Sequence, residues 1–249
     1  MKETKKQFPA EEVTLPSRGL LYPEDSPLRK GFIEMKYMTA REEDILTNVN
    51  LIENGTVIDK LLESLIVSPI NFNDLLVGDK DAILIAARIL GYDKDYSFTH
   101  KGETINIDLT TIKDKQLDES LVVDGKNEFS FTLPTSKKEV TFRFLTHGDE
   151  EKIKKELKGL KKLNQNASND LTTRMKYIIL SVDHDYETQT IRDFIDNEFL
   201  ARDARELRNH INKIQPSVDL SFDYEDQRGN ITTIDIPVGI NFFWPDASV

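Results

Sequence analysis

The spacing of apolar residues changes along this chain, and that change constrains the fold more than any single motif. From Thr56, which reads as an N-cap, Ile58, Leu61, Leu62 and Leu65 recur at helical steps until Pro69 stops the run. Asp79 then reads as the cap of a further helix, with Ile83, Ala86, Ala87 and Leu90 on one face and Gly91 as its C-terminal cap. Beyond Gly91 the period drops to two. "TINIDL" alternates Ile105, Ile107 and Leu109, "EFSFTL" alternates Phe129, Phe131 and Leu133, and "EVTFRF" alternates Val140, Phe142 and Phe144. Helical spacing returns at Gly148. These switches predict an α+β fold: a helical body over 32–91 and 147–216, a small antiparallel β-module inserted over 92–146, and a C-terminal β-hairpin with an aromatic tail over 217–249.

Around these segments, Phe32–Met38 partly alternates and suits a half-buried strand, and Thr39-Ala-Arg-Glu42 is a capping-box pattern opening a helix through about Asn48. Asp149, Glu150 and Glu151 precede Lys154, Lys155, Lys158, Lys161 and Lys162, the charge order a helix dipole favours. The lysines read as a solvated face, since acids alternate with them and the apolar stripe is narrow. After the polar loop "NQNASND", with a cap at Ser168, one helix is expected to carry Leu171, Met175, Ile178, Ile179 and Val182. A longer helical region over 191–214 ends at Pro216, and "SVDLSFDY" and "ITTIDIPV" form the closing hairpin around "DQRGN".

Composition narrows the function. The 249 residues include 33 Lys and Arg against 44 Asp and Glu, a formal charge of −11, which disfavours binding of the chain as a whole to nucleic acid. No apolar run is long enough for a membrane span, and no apolar h-region follows the N-terminal lysines, so an intracellular setting is expected. With no cysteine, disulfides, thiolate-bound zinc and thiol catalysis are excluded. The glycine-rich, nucleophile-elbow and HExxH motifs are missing too. Asp183-His184-Asp185 follows a predicted helix end and reads as a loop rather than a metal site. Glu42-Glu43-Asp44 reads as first-turn acids. Asp203 and Glu206 with Arg202, Arg205 and Arg208 suit surface ion pairs. No catalytic, cofactor-binding or metal-binding residue is singled out, and no cofactor is expected.

What stands out is apolar material beside proline at both ends, in "LPSRGLLYP" and "NFFWP". Large anchors of this kind suit either packing against the chain's own core or docking on a partner. The candidate partner-binding residues are Leu15, Pro16, Arg18, Gly19, Leu20, Leu21 and Tyr22, with Phe242, Phe243 and Trp244. Residues 1–31 are expected to form an extended arm, because Pro9, Pro16, Pro23 and Pro27 interrupt any regular element.

The stretch "LPSRGLLYPEDSPLRKGFIEMKYMTAREEDILTNVNLI" resembles the opening of the bacteriophage T4 baseplate protein family, through Leu15, Pro16, Ser17, Gly19, Tyr22, Glu42, Glu43, Asp44, Ile45 and Leu46. "LIVSPINFNDLLVGDKDAILIAARILGYDKDY", "LTHGDE", "FLARDARELRNHI" and "FFWP" extend the resemblance along nearly the whole chain. It implies a non-enzymatic component or assembly factor of the baseplate hub in contractile-tailed phages. Its partners would be other hub or tail proteins, met in the host cytoplasm during assembly or in the virion tail, in an oligomeric state left open. In many such proteins the β-modules carry CxxC pairs resembling zinc ribbons; here "DYSFTHKGETINID" and "VDLSFDYEDQRGNITTIDI" hold none, so hydrophobic packing is expected to hold these modules in place of zinc. The resemblance tilts the opening segment toward a subunit contact. A different class of function, a small module recognising a peptide through its β-strands, stays open.

Overall fold

A computed structural model of the chain describes residues 9–123, 125–163, 169–225 and 229–243. In chain order the elements begin with β1 (Ala10–Thr14), β2 (Phe32–Lys36), α1 (Ala40–Leu46), α2 (Val49–Glu53), α3 (Val57–Leu65) and α4 (Val77–Tyr92). Then come β3 (Asp95–His100), β4 (Glu103–Asp108), β5 (Asp114–Lys115), β6 (Phe129–Thr132) and β7 (Glu139–Phe142). The remainder holds α5 (His147–Leu163), α6 (Asp170–Ile178), β8 (Ile179–Val182), α7 (Thr188–Asp193), α8 (Ala201–Ile214), β9 (Ser217–Val218), β10 (Ser221–Glu225) and β11 (Ile231–Asp235). The fold is α+β, with every sheet small and antiparallel. Among the described residues no helix is long and apolar enough to cross a membrane.

The opening of the chain is not an extended arm over its described length. β1 pairs with β2 from Ala10 opposite Lys36 to Thr14 opposite Phe32. Pro9 and Pro16 bracket this strand rather than interrupt it, so they cost no ladder hydrogen bond. On β2, Ile33 and Met35 are fully buried, as alternation requires. α1 opens as expected: the Glu42 carboxylate accepts the Thr39 N–H at 3.0 Å and the Thr39 hydroxyl at 2.6 Å. Lys36 and Ser64 also donate to Glu42, each at 2.8 Å. Burial alone would raise this carboxyl, but the donors from Lys36, Thr39 and Ser64 outweigh it and hold it at about 2.

α4 starts at Val77, two residues before the expected cap, and runs past Gly91 to Tyr92 with Asp93 at positive φ. Gly91 instead lets the Met38 side chain lie on the helix; a Cβ there would stand 2.9 Å from Met38 Cε. Ala82, Ile83, Leu84, Ile85 and Ala87 are all buried, so α4 is covered on most sides.

The strands expected to form one β-module separate. β3 pairs with β4, and this hairpin meets the C-terminal hairpin β10–β11 through Phe98 edge-on to Phe222 and through Tyr224 bonded to Glu103. β6 and β7 join β8 in a sheet of three. β8 is the second half of the segment expected to be one helix. "ILSV" is a short apolar run whose period cannot separate strand from helix, and pairing with β7 decides it. The region over 191–214 also divides. α7 ends in a single π-helical turn over Phe194–Glu198, and α8 restarts after the exposed Leu200. Asp203 is no surface ion-pair member: it is buried and accepts the Thr135 and Ser136 amides at 2.7 and 2.9 Å, fixing the β6–β7 turn. The lysines of α5 are exposed, with Lys154 paired to Glu151 at 2.7 Å. The expected cap Ser168 and most of the "DQRGN" turn lie outside the described residues.

Candidate functional site

The opening segment folds into consecutive turns. The Arg18 amide bonds to Leu15 O at 2.8 Å, Leu20 to Ser17 O at 3.1 Å, and Tyr22 to Gly19 O at 3.2 Å. Arg18 and Gly19 both take positive φ, 51° and 76°. Gly19 is there because a Cβ would lie 2.4 Å from Arg29 O, where two backbone stretches cross. The Arg29 guanidinium closes the crossing by donating to Leu20 O at 2.7 Å.

All of this converges on Asp79 in the first turn of α4. Its carboxylate accepts the Ser17 amide at 2.8 Å, the Ser17 hydroxyl at 2.6 Å and the Tyr22 hydroxyl at 2.7 Å. Tyr22 Oη in turn accepts the Leu76 amide at 2.9 Å. Asp79 is fully buried and makes no ion pair among the described residues. Burial raises its carboxyl above the ordinary range, against the lowering pull of the Ser17 and Tyr22 donors. Burial, then the Asp79 charge, pushes the Tyr22 phenol upward. Asp79 is therefore an anchor for the opening segment, not the helix cap its position suggested.

This placement corrects the expectation of a docking arm. Leu15, Leu21 and Tyr22 are buried, with Leu15 at 0 % and Tyr22 at 3 % exposure, and Pro16 and Gly19 are buried with them. A side chain already enclosed by its own fold offers no surface to a second protein. Leu20 is half-buried against the core. Only Arg18 points outward, pairing with Glu119 at 2.7 Å and with Gln116. At the other end Phe242 and Phe243 are at 0 % exposure, so they too are core; Trp244 lies outside the described residues. The buried Arg88 of α4 holds this end by donating to Phe242 O at 2.9 Å, and to Asp93 O and Asp95 O. Beside the opening turns, Pro23, Pro27, Pro69, Ile70, Asp25 and Asp74 help line a cavity of about 580 Å³.

One constellation escaped the sequence reading. Asp59 of α3 and His147 and Glu151 of α5 bring ligand-type atoms within 4.8 Å of one another. No sequence spacing signals it, because Asp59 and His147 belong to different helices. The Lys80 ammonium bonds to Asp59 and lies 3.3 Å from His147 Nδ1. Burial first and Lys80 second hold the imidazole below its ordinary value, so neutral His147 can accept from the ammonium. Lys80 thus supplies the positive charge that a metal would bring. Compared with known protein families, with characterised proteins and with solved structures, the chain finds no match.

Proposed function

We propose that the protein is a non-enzymatic component or assembly factor of a contractile phage tail baseplate hub, acting through contacts with other hub or tail proteins. The observation that carries this is the resemblance of its opening, its EED helix and its closing "FFWP" to the T4 baseplate family. The resembling positions include the ties of the framework: Ser17 and Tyr22 on Asp79, Glu42 with Thr39 and Lys36, and Phe242 held by Arg88. What the resemblance carries over is therefore a framework, and the partner contacts of this reading fall on the exposed remainder.

Deleting the gene from the phage that encodes the chain tests the proposal. Tails lacking hubs are the expected result, and hubs of normal composition and number would overturn it. Mass spectrometry of purified virions then divides the two roles. Stoichiometric recovery identifies a subunit, and recovery from infected-cell lysate alone identifies an assembly factor.

A further inference from the structure

A groove unrelated to the opening segment lies where α8, α6 and the start of α5 approach the exit of β7. It encloses about 430 Å³, and four arginines line it: Arg143, Arg174, Arg205 and Arg208. Such convergence is unusual in a chain whose formal charge is −11. Met175, Ile178 and Ile211 back it and are buried, so what the groove offers outward is its guanidinium groups.

The arginines divide into two pairs. Arg143 is held by buried Asp149 at 2.9 Å, and Arg174 grips Glu150 through two nitrogens at 2.5 and 3.1 Å. These two are neutralised and fixed. Arg205 and Arg208 stand three apart on α8, hence on one face, and both are exposed. The pairing of Arg205 is a 3.1 Å contact with adjacent Glu206, and the Arg205 side chain keeps 67 % of its exposure. Exposed pairs of this kind hold weakly. Arg208 donates Nε to Ala204 O at 3.2 Å and has no carboxylate partner among the described residues. Its remaining guanidinium donors suit a carboxylate fork.

We propose that this groove is a docking site for an acidic segment of a partner protein. Carboxylates of that segment pair with Arg205 and Arg208, the two lining arginines that no carboxylate holds tightly. Charge complementarity selects this occupant. The acidic remainder of the chain opposes the many phosphate contacts that nucleic acid binding requires. The site stands whatever assembly the protein serves.

Fluorescence anisotropy tests it on the full chain. The probes are a labelled peptide of glutamates interrupted by glycines, a lysine counterpart, a labelled single-stranded DNA, and unlabelled inorganic phosphate as competitor. The glutamate peptide should bind, weaken with salt, and lose about tenfold or more in affinity in the double variant Arg205→Glu/Arg208→Glu. Arg208→Lys should lose less, because the charge stays while the fork is lost. Both positions are exposed, so the variants should unfold at the wild-type temperature. Undiminished binding by the double variant, no binding of the glutamate peptide, tighter variant-sensitive binding of DNA, or full displacement by inorganic phosphate at peptide-like concentrations would each overturn the proposal.

Discussion

Replacing Tyr22 with phenylalanine isolates the anchor at the start of α4. The ring stays in its buried place and only the hydroxyl goes. That hydroxyl donates to Asp79 at 2.7 Å and accepts the Leu76 amide at 2.9 Å. A hydrogen bond to a charged group contributes about 1.5–3 kcal/mol, and a buried amide left without an acceptor costs about 1–3 kcal/mol. Partial relaxation reduces the sum, so the expected loss is about 2–4 kcal/mol. For a chain of this size that lowers the melting temperature by very roughly 4–16 °C. Urea unfolding followed by circular dichroism should show a lower midpoint at unchanged slope.

The same substitution should depend on pH in a stated direction. Burial raises the Asp79 carboxyl above 3.8. The folded state therefore binds this proton more tightly than the unfolded chain does. The group's contribution is fully present below the unfolded value and is lost as pH rises through the folded one. Loss of the Tyr22 donor hurts the ionised form most, so the penalty should be larger above the pH at which the folded carboxyl titrates than below it. A cycle with Asp79→Asn should show coupling of about 1 kcal/mol or more. A loss under about 0.5 kcal/mol, or strict additivity with Asp79→Asn, would refute Asp79 as the anchor.

Glu42→Gln should remove an acid sensitivity. With its folded carboxyl at about 2 against 4.5, Glu42 stabilises above the higher value and loses that contribution as pH falls toward the lower, so the wild-type advantage over the variant should shrink over that interval in acid titrations of stability. Gly78→Ala puts a Cβ 1.8 Å from Pro216 O, a clash with backbone that only a shift of α4 or β9 relieves; soluble yield and melting temperature should both fall, and a variant as stable as wild type would refute the close approach. EDTA should leave the melting temperature unchanged, because Lys80 already provides positive charge among Asp59, His147 and Glu151; a drop of several degrees with metal released would show an ion bound there.

Local signals were legible where a local contact settles the structure. The capping pattern at Thr39, the apolar face of Leu61, Leu62 and Leu65, and the alternation in β4, β6 and β7 all depend on neighbours within a few residues. Pairing was not legible. Nothing within "EFSFTL" says that β6–β7 meets β8 rather than the β3–β4 hairpin, and β5 and β9 are each two residues long. Acid roles failed for the same reason. Asp79 and Asp203 both sit in first turns where dipole arguments suffice, yet each serves a segment distant in sequence. Arg205 and Arg208 looked like ordinary ion-pair partners on a helix surface. Their significance appears only when α6 and β7 bring two further arginines alongside.

The burial of an acid and a base on α4 explains why apolar, proline-flanked segments occur at both ends of the sequence. Asp79 and Arg88 are nine residues apart, which on an α-helix is about 13.5 Å along the axis and half a revolution around it. The two charges therefore face opposite sides of one buried helix. Neither uses the other, or any ion pair among the described residues, as counter-charge. Asp79 is met by the hydroxyls and amide of the opening segment, and Arg88 by three carbonyls of the C-terminal and β3 approaches, with the Tyr92 and Tyr96 rings 5.3 and 5.8 Å away. An isolated buried charge is costly, so each side of α4 is satisfied only when its own segment is seated. Leu15, Leu21 and Tyr22 on one side and Phe242 and Phe243 on the other then supply the apolar burial that keeps those segments in place. The two prolines and Gly19 of "LPSRGLLYP" are the backbone geometry that lets a short stretch turn tightly enough to deliver Ser17 and Tyr22 to the same carboxylate.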